Sequence, residues 1–136
     1  MKTKNVLLSV VIISVLFMLN ACKKDKDDTG GGQSNRKVKF EITGNYTGKL
    51  LVAYTTSNGG TESATINSLP WIKEITYNNT VGGIGIGGGT DVPGLGIAGQ
   101  TVTVKIFPSG RSVVSGTPAV TGANGVVNLP NLVYQF

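Results

Sequence analysis

An all-β fold, a small two-sheet antiparallel β-sandwich of seven to eight short strands, is predicted by three features of the sequence. Apolar and polar residues alternate at period two in segments such as 37–43 and 101–107. Turn signals recur every eight to twelve residues, and the body of the chain shows no helical period. Twenty glycines, many Val, Ile and Thr residues and few good helix formers act in the same direction.

The first strand is Lys37 to Thr43, with Val38, Phe40 and Ile42 on one face and charged residues on the other. Leu50 to Thr56 is apolar on both faces, which predicts a central strand between packed layers. Asn58-Gly59-Gly60 is a hairpin turn, because Asn and Gly accept the positive φ that such turns require. Glu62 to Ser68 is more polar, as an edge strand would be, and stops before Pro70, which cannot donate to a ladder. Trp71 to Tyr77 follows and closes at Asn78-Asn79. Thr101 to Phe107 points Val102, Val104 and Ile106 inward, Pro108-Ser109-Gly110 turns the chain into Ser112 to Ser115, and Asn124-Gly125 is a further turn. Leu132, Tyr134 and Phe136 share one face of the last strand. An aromatic-x-aromatic ending also occurs in outer-membrane barrels, but those need strands of about nine to eleven residues, longer than most segments here.

Before this domain the chain reads as an export leader and an anchor. Lys2 and Lys4 precede a predominantly apolar run from Val6 to Leu19, and small residues follow, the three-part layout of a secretory signal. The run falls short of the ~20 apolar residues of a transmembrane helix. Leu19-Asn20-Ala21-Cys22 resembles the lipobox of bacterial lipoproteins, which implies cleavage between Ala21 and Cys22 and acylation of the Cys22 sulfur. Cys22 is the only cysteine, so no internal disulfide competes for it. The expected division is residues 1–21 as a removed leader, 22–36 as lipidated cysteine and disordered tether, and 37–136 as the β domain. Lys26-Asp27-Asp28 either resembles the acidic signals that send some lipoproteins to the outer face of the outer membrane or is a solvated spacer. The expected location is exported and membrane-anchored, at the outer membrane.

The formal charge of +5 overstates the basicity of the domain. Lys37, Lys39, Lys49, Lys73, Lys105 and Arg111 stand against Glu41, Glu62, Glu74 and Asp91, scattered singly. Nucleic-acid binding calls for a clustered basic face, and none is visible, so no nucleic-acid partner is expected.

Residues 81–99 hold nine glycines, and Gly83-Ile84-Gly85-Ile86-Gly87-Gly88 formally matches G-x-G-x-x-G. A dinucleotide site needs a strand before that motif and a helix after it, and no helix follows. Gly83 to Ile86 and Gly94 to Ile97 look instead like two weak strands, bare of side chains on one face, joined by a loop at 89–93. A bare face lets another backbone or a flat ligand approach. Gly83, Gly85, Gly94 and Gly96, with Tyr46 as an exposed loop aromatic and Trp71 as either core or contact residue, form the candidate partner surface.

Catalytic chemistry has little material. The chain lacks histidine, its one thiol is assigned to lipid, and no G-x-S-x-G elbow is present. No catalytic residue, metal ligand or cofactor is assigned, and no enzyme is expected. A fold could still pair two of the four carboxylates as a glycosidase does.

Phe40-Glu41-Ile42-Thr43-Gly44, Leu51 to Thr55, Gly59-Gly60, Leu69-Pro70-Trp71 and Val102 to Ile106 together resemble the order of motifs in the MmpS-like transport accessory domains, over about two thirds of the domain. The resemblance implies an immunoglobulin-like sandwich outside a membrane and, as partner, an exporter of the resistance-nodulation-division type. This chain differs in having a lipobox where that family has a transmembrane helix, and in lacking the cysteine pair of many members. The expected function is therefore a non-enzymatic, lipid-tethered binding or transport-accessory module, with the membrane and an envelope protein or exporter as partners. A self-assembling structural or adhesive subunit and a hydrolase acting on envelope glycan are the alternatives, and oligomeric state stays open.

Overall fold

The computed structural model describes residues 36–136; the leader, the Ala21-Cys22 junction and the charged run after it lie outside the described residues. Nine strands form the domain: β1 (Lys37–Gly44), β2 (Leu50–Thr55), β3 (Thr61–Ile66), β4 (Trp71–Thr76), β5 (Gly83–Thr90), β6 (Thr101–Pro108), β7 (Val114–Ser115), β8 (Ala119–Val120) and β9 (Asn128–Gln135). They build two antiparallel sheets. One has the order β4-β1-β6-β7, with β8 also on β6; the other runs β3-β2-β5-β9.

The alternating patterns bury as their period requires. Val38, Phe40 and Ile42 of β1 and Val102, Val104 and Ile106 of β6 have no solvent exposure. They face Leu50, Val52 and Tyr54 of β2, Ile84 and Ile86 of β5, and Leu129 and Leu132 of β9 in one core. Register is pinned by this match, since a slip of one residue would turn each buried set to solvent. The β2–β3 hairpin closes at the Asn-Gly-Gly turn, where Gly59 has φ +88° and its N–H donates to Thr56 O at 3.0 Å. β3 lies at a sheet edge, in keeping with its polar composition.

Four segments differ from the sequence-based expectation. β2 is interior within its sheet, yet only Leu50, Val52 and Tyr54 are buried, and Leu51 stands 46% exposed on an open outer face. The glycine-rich segment is not two weak strands: β5 is one eight-residue strand paired on both sides, and Gly94 to Ile97 is loop. The strand foreseen at 112–115 shrinks to the two residues of β7, and β8 adds a short pairing with β6 at Thr101–Val102. β9 starts at Asn128 and carries Pro130 inside it.

Pro130 is accommodated by a bulge. Ile86 pairs with Leu132 and Gly88 with Leu129, so Pro130 and Asn131 together oppose the single residue Gly87. Asn131 folds over Gly87 so closely that a Cβ there would overlap its side chain. Gly88 has φ +153°, and a Cβ on it would strike Leu51 O of the neighbouring strand. Glycine in β5 is thus required by close approach at its centre, which offsets its poor strand propensity.

The two ends of the domain are tied together. The Arg36 guanidinium stacks 3.9 Å over the Phe136 ring and donates to Val81 O. Tyr77 N donates to Arg36 O, and Phe136 N to Gly82 O, both at 3.1 Å.

Candidate partner surface

The outer faces of the two sheets are chemically unlike, although the same alternation generates both. On the β4-β1-β6 sheet it sets out Lys37, Lys39 and Glu41, Ile72 and Glu74, and Lys105 and Phe107. Lys37 pairs with Glu74 at 2.6 Å and Lys39 with Glu41 at 2.8 Å, while the Lys39 ammonium lies 4.0 Å above the Phe107 ring. The first pair is exposed and the second partly buried; solvent-accessible pairs of this kind each contribute about 0–1 kcal/mol and belong to an ordinary solvated face.

On the other sheet the outward positions are Thr61, Ser63 and Thr65 of β3, Leu51, Ala53 and Thr55 of β2, Gly83, Gly85 and Gly87 of β5, and Asn131, Val133 and Gln135 of β9. None carries a charge. Because β5 has no outward side chains, a shallow trough of ≈ 400 Å³ runs over its backbone, walled by Thr55 and Thr61 on one side and Asn131 and Val133 on the other. The backbone floor is already paired. Gly85 N donates to Thr55 Oγ1 at 2.9 Å, a side chain standing in for the ladder. The trough can thus receive a flat, uncharged group, but β5 offers no free edge for strand addition, because β2 and β9 occupy both of its sides.

The predicted surface residues fall into three places. Gly83 and Gly85 lie on this uncharged face. Trp71, at the start of β4, is half-buried and packs its ring 5.8 Å from that of Tyr54, at the margin of the core. Tyr46, Gly94 and Gly96 meet in a loop cluster at the end of the sandwich where β1 stops.

Tyr46 is not the exposed aromatic that its loop position suggested. It is 4% exposed; its hydroxyl donates to Gly125 O at 3.2 Å, has Gly94 O at 3.4 Å, and shares a 2.8 Å bond with Thr90 Oγ1. Its ring lies against Gly96, where a Cβ would overlap it. What the cluster exposes instead is aliphatic: Val92 (71%), Leu95 (49%) and Ile97 (65%). Strand and linker patterns account for these three in the sequence, and nothing local signals that Tyr46 takes the inside of the cluster while they face out.

Gln100 fixes the loop from below. Its Oε1 accepts from Ile97 N at 2.9 Å, Thr47 N at 3.1 Å and Thr47 Oγ1 at 3.2 Å. Thr65 Oγ1 donates to Asp91 Oδ2 at 3.1 Å.

Of the four carboxylates, Glu41 and Glu74 sit on the charged face with lysine partners, while Glu62 belongs to β3 and Asp91 to the loop after β5. Among the described residues no group of three or more His, Cys, Asp or Glu side chains could hold a metal ion, and no helix is long and apolar enough to cross a membrane.

Comparison of the chain with protein-family models, with curated proteins and with solved structures gave no match.

Proposed function

We propose that the protein is a cell-envelope lipoprotein, held at the outer membrane through acylated Cys22, whose β-sandwich is a non-enzymatic binding or transport-accessory module. The observation that supports it best is the contrast between the faces: one is laced with lysine–glutamate pairs, the other has no charged residue at its outward strand positions and is floored by bare backbone. Interface centres are depleted in charged residues relative to the rest of a protein surface, and the β3-β2-β5-β9 face has that composition. An envelope protein or exporter subunit is the proposed partner. Crosslinking in intact cells tests it: the native chain should yield a discrete envelope adduct that Val133→Lys abolishes. An adduct unchanged by a lysine in the middle of this face would remove the face from the reading.

A second reading, self-assembly, is favoured by the same face, since Leu51 and Val133 stand exposed on a flat uncharged surface. It does not draw on β5, whose edges are both taken, and the outer edge strand β9 is blunted by Pro130 and its bulge. Sizing of the purified chain over a wide concentration range separates the two, as only self-assembly predicts a concentration-dependent larger species.

A further inference from the structure

We propose that the loop from Asp91 to Gln100 is a second membrane contact, its aliphatic tip dipping into the interfacial layer of the bilayer that the anchor already places nearby. The inference rests on the anchored reading for its biological setting, but the contact itself needs only the residues of the loop.

Three observations carry it. The first is composition. From Val92 to Gly99 the segment contains no charge, and Val92, Leu95 and Ile97 are all about half exposed or more. It has none of the Trp, Tyr or Arg anchors that dominate protein–protein hot spots, and its base carries one charge of each sign, Lys49 beside Gly94 and Asp91 beside Thr65. Exposed aliphatic side chains suit a phospholipid interface by apolar burial, and the formal positive charge of the chain adds attraction to anionic headgroups.

The second is the backbone. An unpaired peptide group is expensive to move out of water, and this loop has paired most of its N–H groups. Asp91 N donates to Lys49 O, Gly94 N to Asp91 O, Leu95 N to Pro93 O, Gly96 N to Gly125 O, Gly99 N to Thr121 O and Gln100 N to Ile97 O, all at 2.7–3.3 Å. Ile97 N is taken by the Gln100 side chain. Among the described residues, the N–H groups of Val92 and Ala98 have no partner. The carbonyls of Val92, Leu95, Gly96, Ala98 and Gly99 accept no hydrogen bond among the described residues, so the tip suits the hydrated interfacial layer, where headgroups and water reach them, and not the hydrocarbon core.

The third is reach. The loop sits at the Gly44 end of β1 and the chain enters at the Lys37 end. Eight strand residues span about 27 Å, while Lys23 to Arg36 can extend at most about 46–50 Å. A chain fixed to the bilayer at Cys22 can therefore present this end to the same membrane, at a high effective concentration that makes a weak contact sufficient.

The test uses the mature chain carrying Cys22→Ser, so that no acyl group contributes, and vesicles of phosphatidylcholine alone or with phosphatidylglycerol. The chain should sediment with both at millimolar lipid, more strongly with the anionic mixture. Val92→Ser/Leu95→Ser/Ile97→Ser should lower that partition at least about tenfold; since all three side chains are exposed, its melting temperature should stay near that of the parent, and Ile97→Ser alone is read if it does not. Equal partition of parent and variant, or no partition of the parent into either vesicle, overturns the proposal. Acyl labelling of native Cys22 is scored separately, so loss of the anchor and loss of the tip are told apart.

Discussion

The ring of Tyr46 lies against the backbone of Gly96, in space that a single methyl group would fill, and its hydroxyl ties the segment at 94 to that at 125. A residue in the connection after β1 thereby sets the shape of a loop fifty positions later. Tyr46→Phe leaves carbonyl and hydroxyl acceptors short of a donor and should destabilise the domain by about 1–2 kcal/mol. Gly96→Ala forces ring and backbone apart, at about 1–3 kcal/mol. Hydrogen exchange locates the damage: both variants should speed exchange at the Leu95 and Gly96 amides more than in β1 or β6.

Glycines of β5 should respond with opposite sign according to where they sit. Gly88→Ala, with positive φ and Leu51 O in the way, should cost about 2 kcal/mol or more, lowering Tm by roughly 10 °C. At Gly83 the nearest atom to an added Cβ is Tyr134 O at 3.5 Å, an ordinary contact. Gly83→Ala should be neutral or stabilising by about 0.5 kcal/mol through the unfolded chain. Paired thermal melts decide both.

Alkaline stability follows from two tyrosines. Burial raises the phenol of Tyr77 well above its usual value, and its hydroxyl donates to Thr55 O at 2.7 Å. Burial, then a hydrogen bond with Glu62, raises Tyr54 as well. Groups whose pKa is higher in the folded state contribute stability in full below the unfolded pKa, about 10, and lose it as pH climbs through the folded value. Denaturant midpoints should therefore be unaffected by these groups below about pH 9 and fall above about pH 10. Tyr77→Phe should be less stable at neutral pH by about 1 kcal/mol and show a shallower alkaline decline.

Charge placed on the bare face should spare the fold. Val133 is 64% exposed, so Val133→Lys should change stability by no more than about 0.5 kcal/mol while removing partner capture. A matched control on the other face, Lys105→Val, should leave capture intact.

Much of this architecture could be read from the chain because period two is a local signal. The inward sets of β1 and β6, the hairpin at Asn58-Gly59-Gly60 and the edge position of β3 each needed only neighbouring residues. β5 could not be read that way. Its strand identity comes from Ile84 and Ile86 and from partners on both sides, whereas its own glycines argue against a strand; Gly87 and Gly88 make sense only once Asn131 and Leu51 are beside them. β9 hid its start for a similar reason, since Pro130 reads as a stop until a bulge absorbs it. Tyr46 was misplaced because loops are usually exposed, and nothing local announces that Thr90, Gly94 and Gly125 will close around its hydroxyl.

The proposed lipid anchor underlies the rest, and metabolic labelling with a fatty-acid analogue, combined with membrane fractionation of cells carrying the native chain or Cys22→Ser, tests it most directly. The native protein should carry label and pellet with the membranes through a high-salt wash, and the serine variant should be unlabelled and wash free. A serine variant that keeps both its label and its place in the washed pellet would contradict the account.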